Sequence, residues 1–156
     1  MKGNDKIIAK LNDLLSDELT AINQYMVHSE MCDNWGYARL HKLIEKRAIE
    51  EMKHAEKLIA RIIFLEGIPI VSKLSPIKIG PAVDAMHKND LKAEEGAVKN
   101  YNDNIRTADE LGDGGTRELL EHILMDEENH IDYIEAQIDQ IKQMGINSYL
   151  GEQIGE

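Results

Sequence analysis

EEMKHAE at 50–56 and DEENHIDY at 126–133 each carry Glu-x-x-His, as Glu51–His54 and Glu127–His130, at an offset of 76 residues. Two such pairs are by themselves unremarkable in so acidic a chain. The offset carries more, because it also maps Glu18 onto Glu94, Tyr25 onto Tyr101 and Gly36 onto Gly112. The chain therefore reads as two similar halves bearing equivalent polar groups.

Both motifs lie within segments of helical periodicity, and four such segments are expected. The first runs over about 5–33, with Ile7, Ile8, Leu11, Leu14, Leu15, Ile22 and Met26 on one broad face. The second covers about 37–65, through Leu40, Ile44, Ala48, Ala55, Leu58, Ile59 and Ile62. A third begins after Pro81 and reaches about Leu111, through Val83, Leu91, Val98, Tyr101, Ile105 and Ala108. The fourth follows Gly114–Gly115 and reaches about Met144, with Leu120, Ile123, Ile131, Ile134, Ile138 and Ile141 inward. Beyond Gly145 the tail has room for one short helix.

Between the second and third segments, residues 66–82 contain Gly67, Pro69, Pro76, Gly80 and Pro81, which exclude a continuous helix. Extended, 17 residues span roughly 56–61 Å, against roughly 42 Å for a 28-residue helix. The linker can run the length of the molecule and make helices two and three parallel. The expectation is an all-α, four-helix bundle with one long crossover and a short C-terminal helix. Ile68, Ile70, Leu74, Ile77 and Ile79 suggest that the linker packs on its own bundle or on a neighbouring subunit.

The repeated acids and histidines fall inside the apolar stripes. Glu18 lies between Leu14/Leu15 and Ile22, Glu51 between Ala48 and Ala55, Glu94 between Leu91 and Val98, and Glu127 between Ile123 and Ile131. His54 and His130 follow at i+3 on the same faces. Glu95 is turned 100° from Glu94 and is the weaker candidate. Residues of a helical hairpin share a height when the turn lies at their midpoint. For Glu18 and Glu51 that midpoint is 34.5, beside Gly36; for Glu94 and Glu127 it is 110.5, beside Gly112. Four carboxylates and two imidazoles can thus meet in one buried cluster. Such carboxylates would repel one another and take up protons unless cations balanced them. Two divalent ions would do so, and a Glu-rich, sulfur-free set suits Fe or Mn better than Cu or a closed zinc site.

Composition sets the bounds. A chain of 156 residues is one domain, 1–156, long enough for a core without staples. A net charge of −11 argues against nucleic-acid and anionic-membrane partners and suits cationic ligands, although it also keeps a helical surface soluble. Cys32 stands alone, so no internal disulfide or Cys-rich metal site is available. No signal-peptide core or membrane-length apolar run is present, and a cytoplasmic location is expected.

On DELTAINQY (17–25), EEMKHAE (50–56), LKAEEGA (91–97) and DEENHIDY (126–133), the chain resembles the bacterioferritins over nearly its full length. The resemblance implies a ferritin-like fold and a ferroxidase that oxidises Fe(II) with O2 or H2O2. Its di-iron ligands would be Glu18, Glu51, His54, Glu94, Glu127 and His130, with Glu51 and Glu127 bridging. The ferric mineral would be stored in a 24-subunit homo-oligomeric shell of haem-bridged dimers, served by a ferredoxin-like electron donor. Met52 lies outside the repeat, since its partner is Glu128, and it points off the core stripe. Its plain reading is an interface hydrophobe; the resemblance makes it the axial ligand of a b-type haem shared across a two-fold axis. Tyr25, two turns beyond Glu18, is either an oxidisable residue near the metals or core packing.

The remaining polar and aromatic side chains have less defined roles. His28, His41, His87 and His122 lack partners in the repeat and read as surface groups or groups behind the ligands. Trp35 reads as packing and Cys32 as a small buried or interface residue. Some bacterioferritins use acids or His before the metal-binding segment as an auxiliary iron site; Lys46 and Arg47 argue against one here.

Two other function classes compete. One is a haem-binding electron-transfer shell with a structural dimetal centre. The other is a non-cage dimetal oxidase acting on an organic substrate, for which the narrow Ile/Leu stripe leaves no obvious room. A rubrerythrin-like protein would need Cys-x-x-Cys, and a DNA-binding mini-ferritin would place its metals between subunits.

Overall fold

A computed structural model describes residues 1–155. It is all-helical, with α1 (Asp5–Asn34), α2 (Ala38–Phe64), α3 (Val83–Glu110), α4 (Gly114–Met144) and α5 (Ile146–Gly151). The two hairpins close by one mechanism. At the end of α1, Gly36 takes φ 82°, the Tyr37 N–H donates to Cys32 O, and the Gly36 N–H donates to Asp33 O. At the end of α3, Gly112 takes φ 72° with the matching bonds Asp113 N–H to Ala108 O and Gly112 N–H to Asp109 O. A left-handed residue closing a 6→1 and a 5→2 bond is a Schellman stop, and glycine adopts it without a Cβ penalty. α4 begins at Gly114, because the Asp113 carboxylate caps the Thr116 N–H.

The apolar stripes meet in two clusters on either side of a polar belt. One contains Ile7, Leu11, Leu14, Leu58, Leu120 and Ile123; the other contains Cys32, Leu40, Ile44, Val83, Met86 and Tyr149. Met26, expected on the core stripe, is instead 49% exposed. Its level on the inner face is taken by Tyr25 and His28, both fully buried. Trp35 remains partly exposed and meets Tyr37 edge-on, at a centroid distance of 6.2 Å.

The crossover is held along α1 by a polar ladder with helical spacing. Asn12 donates to Ile68 O and accepts from the Ile70 N–H, and the Ser16 hydroxyl donates to Lys73 O. Thr20 accepts from the Ser75 N–H, Gln24 from the Lys78 N–H, and His28 Nε2 from the Gly80 N–H. Side chains four residues apart share one helix face, so this row supplies partners to a strand-like segment that has no sheet. The segment rises beside α1 and delivers α3 parallel to α2. Its apolar side chains do not join the core, since Ile68, Ile70, Leu74, Ile77 and Ile79 are 38–81% exposed. The linker therefore packs on its own bundle through its backbone, not through those side chains. At the far end, the Tyr149 hydroxyl donates to Gln137 and receives a hydrogen bond from His87 Nε2, which fixes α5 against α3 and α4.

Thr20→Val keeps the shape but removes the acceptor for the Ser75 amide. A loss of about 0.5–1.5 kcal/mol is expected in denaturant titrations. Faster hydrogen exchange should be confined to the crossover near Ser75; global acceleration would refute the ladder's local role.

Candidate metal centre

Four helices each place one carboxylate in the belt between the apolar clusters. Glu18, Glu51, Glu94 and Glu127 are all buried, and His54 and His130 are 2% and 7% exposed. Donor atoms of Glu18, Glu51, His54 and Glu127 lie within 4.8 Å of one another, as do those of Glu51, Glu94, Glu127 and His130. Glu51 and Glu127 belong to both groups. The structure thus brings together all six residues singled out by the repeat, and it leaves Glu95 exposed.

The imidazoles are oriented alike. His54 Nε2 lies 2.9 Å from Asp126 Oδ2, and His130 Nε2 lies 2.6 Å from Glu50 Oε2. Carboxylates cannot donate, so each Nε2 carries the proton. Each Nδ1 faces inward: His54 Nδ1 is 2.8 Å from Glu127 Oε1, and His130 Nδ1 is 2.9 Å from Glu51 Oε1. Histidine ligands are characteristically held this way, with the outer N–H on a carboxylate and the inner lone pair free. Glu50 and Asp126 were missed in the sequence, although they are themselves 76 residues apart and precede the motif glutamates. The signal was present; their alignment across the bundle was not.

Two tyrosines hold the remaining carboxylates, and they do so crosswise. The Tyr25 hydroxyl donates to Glu94 Oε1 at 2.5 Å, and the Tyr101 hydroxyl donates to Glu18 Oε1 at 2.6 Å. Tyr25 therefore touches Glu94 on α3, not Glu18 on its own helix. After these bonds, one buried atom of each of the six residues has no hydrogen-bond partner outside the cluster: Glu18 Oε2, Glu51 Oε1, Glu94 Oε2, Glu127 Oε1, His54 Nδ1 and His130 Nδ1. Unpaired buried polar atoms are costly, and six converging from four helices form a donor set that fits divalent cations.

The metal-free electrostatics agree. Burial, and then the Glu18 charge, push the Glu51 and Glu127 carboxyls well above the ordinary carboxylate range. Burial opposes ionisation of Glu94 too, but hydrogen bonds from Glu127 and His130 outweigh it and hold Glu94 at about 2. Protons are thus shared unequally among carboxylates that cannot all ionise together. Burial pulls the imidazoles of His54 and His130 down, yet their carboxylate neighbours raise both above the ordinary histidine value.

Beyond Tyr25 the repeat fails. The Asp90 carboxylate accepts from Gln24 and His28 Nδ1, both at 2.9 Å, and from Arg47 at 3.3 Å, while the Arg47 guanidinium lies 5.1 Å from the Tyr25 ring centroid. The Gly80 N–H donates to His28 Nε2, so His28 is neutral with its proton on Nδ1. Counterparts of Arg47, Asp90 and His28 at the 76-residue offset are Ile123, Leu14 and Asn104. Neither His28 nor His87 is at the surface or beside the ligands; both are fully buried in separate hydrogen-bonded networks. His41 is partly buried against Ser29, and His122 is at the surface. Arg47 is buried against Asp90, whereas Lys46 is exposed.

Met52 is 45% exposed, off the core as expected, and Ile49 one turn earlier is exposed beside it. Contrary to expectation, there is room beside the six clustered residues: a cleft of about 360 Å³ reaches Glu18, Glu51, Glu94 and Glu127. Among the described residues, no helix is long and apolar enough to cross a membrane.

Comparison with known proteins places this geometry in context. A ferritin-like domain model matches residues 8–144. The chain is 44% identical over 149 residues to a bacterioferritin of Brucella melitensis, covering 96% of this chain and 92% of that protein. It is 42% identical over 145 residues to a bacterioferritin of Rhodobacter capsulatus, covering 93% and 90% respectively. It is 37% identical over 149 residues to one from Mycolicibacterium paratuberculosis, covering 96% and 94%.

The raised groups fix the sign of the pH dependence. Glu51 and Glu127, raised above the ordinary carboxylate range, and His54 and His130, raised above the ordinary histidine value, bind more protons folded than unfolded. Their contribution to metal-free stability is therefore lost as pH rises through the folded values. The metal-free melting temperature should fall between about pH 6 and pH 8. Co(II) should reverse that slope and release protons, measured by pH-stat titration; uptake without proton release would contradict this account.

Proposed function

This chain belongs to the bacterioferritin family, and on that premise we propose that it stores iron and oxidises Fe(II) to Fe(III) at the six-residue cluster. One observation carries the reading: each of the six residues directs an unpartnered buried atom to the same place. Fe(II) is the substrate. Glu18 and His54 hold one ion, Glu94 and His130 hold the other, and Glu51 and Glu127, common to both groups, bridge them.

Each side chain has a physical task. Four carboxylates neutralise two divalent ions, so binding relieves the repulsion that otherwise keeps protons in the cluster. Asp126 and Glu50 hold the Nε2–H of His54 and His130, which keeps both Nδ1 lone pairs inward. Tyr25 and Tyr101 fix one oxygen of Glu94 and Glu18 and leave the other for the ion. Bound iron supplies the electrons, which O2 or H2O2 accepts. Tyr25, hydrogen-bonded to a ligand carboxylate, is placed to supply a further electron.

The ferric product is stored within a homo-oligomeric shell of 24 subunits. The exposed isoleucines of the crossover suit burial against neighbouring subunits. Met52 and its copy across a two-fold axis would hold a b-type haem, which supplies a one-electron path towards the stored mineral and accepts electrons from a ferredoxin-like donor. Met52 meets the minimum for this, being exposed beside Ile49 and free of the dimetal cluster.

Glu18→Ala and His130→Ala should each abolish the rapid ferric absorbance rise after O2 meets Fe(II)-loaded protein. Unchanged oxidation would overturn the assignment; assembly and haem uptake without rapid oxidation in the unmodified protein would favour a haem shell with a structural dimetal centre. Glu50→Ala and Asp126→Ala, which leave every ligand in place, should weaken cation affinity about 10–100-fold in competition titrations. Met52→Leu should remove the haem absorbance and leave Fe(II) oxidation intact.

A further inference from the structure

Where the start of α2, the end of α4 and the turn after α5 meet, a notch of about 760 Å³ inverts the charge balance of the chain. The protein has 29 acidic and 18 basic residues. Arg39 and Lys42 nevertheless line this notch, and Glu152 is its one carboxylate among the described residues. Arg39 and Lys42 stand three residues apart on α2 and so share a face. Burial raises the Tyr133 hydroxyl above the ordinary tyrosine value, while the charges of Arg47 and then Arg39 act in the opposite sense. The positive field therefore reaches across to α4. The net charge of −11 does not cancel it, because exposed charges are screened beyond about 8 Å at physiological ionic strength. At the 76-residue offset Arg39 and Lys42 become Gly115 and Glu118, so the second hairpin has no copy of this feature.

Two buried carboxamides complete the lining, and their hydrogen bonds fix which end each has left to offer. Gln137 is 7% exposed, and its Oε1 accepts from the Tyr149 hydroxyl at 2.7 Å, so its amide N–H groups remain for a ligand. That orientation is imposed from deeper in the fold. Burial, and then the Arg47 charge, lower His87 to about 4, so it is neutral. Its Nε2–H donates to the Tyr149 oxygen, and the single phenolic proton then goes to Gln137. Gln153, 4% exposed, is used in the other sense: its Nε2 donates to Tyr149 O at 3.2 Å, so its carbonyl oxygen remains. A buried carboxamide with an unused donor or acceptor is costly unless water or a ligand pairs it. The notch thus offers two cations and an amide donor beside two acceptors, Glu152 and Gln153.

Negative charge alone does not match that set, because the acceptors need protons from the ligand. Inorganic phosphate at pH 8 supplies both, as an anion that still carries one hydroxyl. Sulfate carries none, and a phosphate monoester, with its second pKa at about 6, has lost its last proton. We propose that this notch binds inorganic phosphate, with Arg39 and Lys42 on its anionic oxygens, the Gln137 amide as a further donor, and Glu152 or Gln153 accepting from its hydroxyl. The site belongs to the protein itself, apart from the dimetal cluster, and does not depend on what that cluster does.

The test uses the iron-free assembled protein at pH 8, so that no ferric product takes part, with radiolabelled inorganic phosphate in equilibrium dialysis. Saturable binding that approaches one phosphate per subunit is expected. Sulfate or phenyl phosphate at the same concentration as the phosphate should displace little of it. Arg39→Gln and Lys42→Gln should each weaken binding about tenfold or more. Gln137→Glu, which keeps the acceptor for Tyr149 but replaces the amide donor by a charge, should abolish it. Arg39 and Lys42 are exposed, so their variants decide the matter even if Gln137→Glu, at a buried position, fails to fold. Lys57→Gln, at an exposed lysine of α2 outside the notch, should bind as the unmodified protein does. Absence of saturable binding, or unchanged binding in Arg39→Gln and Lys42→Gln, would overturn the site. Equal displacement by sulfate, or equal weakening in Lys57→Gln, would overturn it in favour of diffuse attraction between anions and positive charge. Equal displacement by phenyl phosphate would overturn the choice of the free ion over an esterified phosphate.

Discussion

Four carboxylates cannot share one buried site as four negative charges, and most of the bundle's polar architecture answers that constraint. Without cations, Glu51 and Glu127 resist ionisation and the two imidazoles gain protons. With two divalent ions, the same groups become a neutral ligand set. Burying such a cluster is tolerable because, in four of its six residues, protein partners hold the atom turned away from the centre. Tyrosines hold Glu18 and Glu94, and outer carboxylates hold both histidines. The resulting metal-free state stores unsatisfied polarity at one point, between two ordinary apolar clusters.

The duplicated pattern is a pairing rule across the bundle as well as a repeat along the chain. Tyr25 serves Glu94 and Tyr101 serves Glu18; Asp126 serves His54 and Glu50 serves His130. Each half of the chain therefore orients clustered carboxylates and imidazoles of the other, so neither hairpin alone makes the supported cluster. Where the rule stops, the halves have different tasks. Arg47, Asp90 and His28 form a buried polar network tied to the crossover at Gly80, whereas their counterparts Ile123 and Leu14 are buried in the apolar cluster at the opposite end. The crossover exists once per chain, and it is fastened on the side that it reaches.

Much of this was legible in the chain. Heptad-like apolar spacing gave four helices to within a residue or two, because an amphipathic stripe has few alternatives once Pro69, Pro76 and Pro81 break the middle. Gly36 and Gly112 marked both turns because a Schellman stop needs a left-handed residue. Errors arose where one face had to serve two neighbours. Met26 carries a core spacing, yet Tyr25 and His28 occupy that level and turn it outward. Asn12, Ser16, Thr20, Gln24 and His28 form an i, i+4 row whose partners are the backbone of the crossover, which no spacing within α1 reveals.

By itself, the sequence determined the helices, their order, the two turns and the six residues that share a height. All depend on local periodicity or on distances counted from a turn. The partners across the bundle were decided by the tertiary structure alone: which carboxylate holds each imidazole, which tyrosine holds each glutamate, and where α1 and α3 stand apart. Those depend on helix rotation and separation, to which side chains from every helix contribute and which no spacing along one segment encodes.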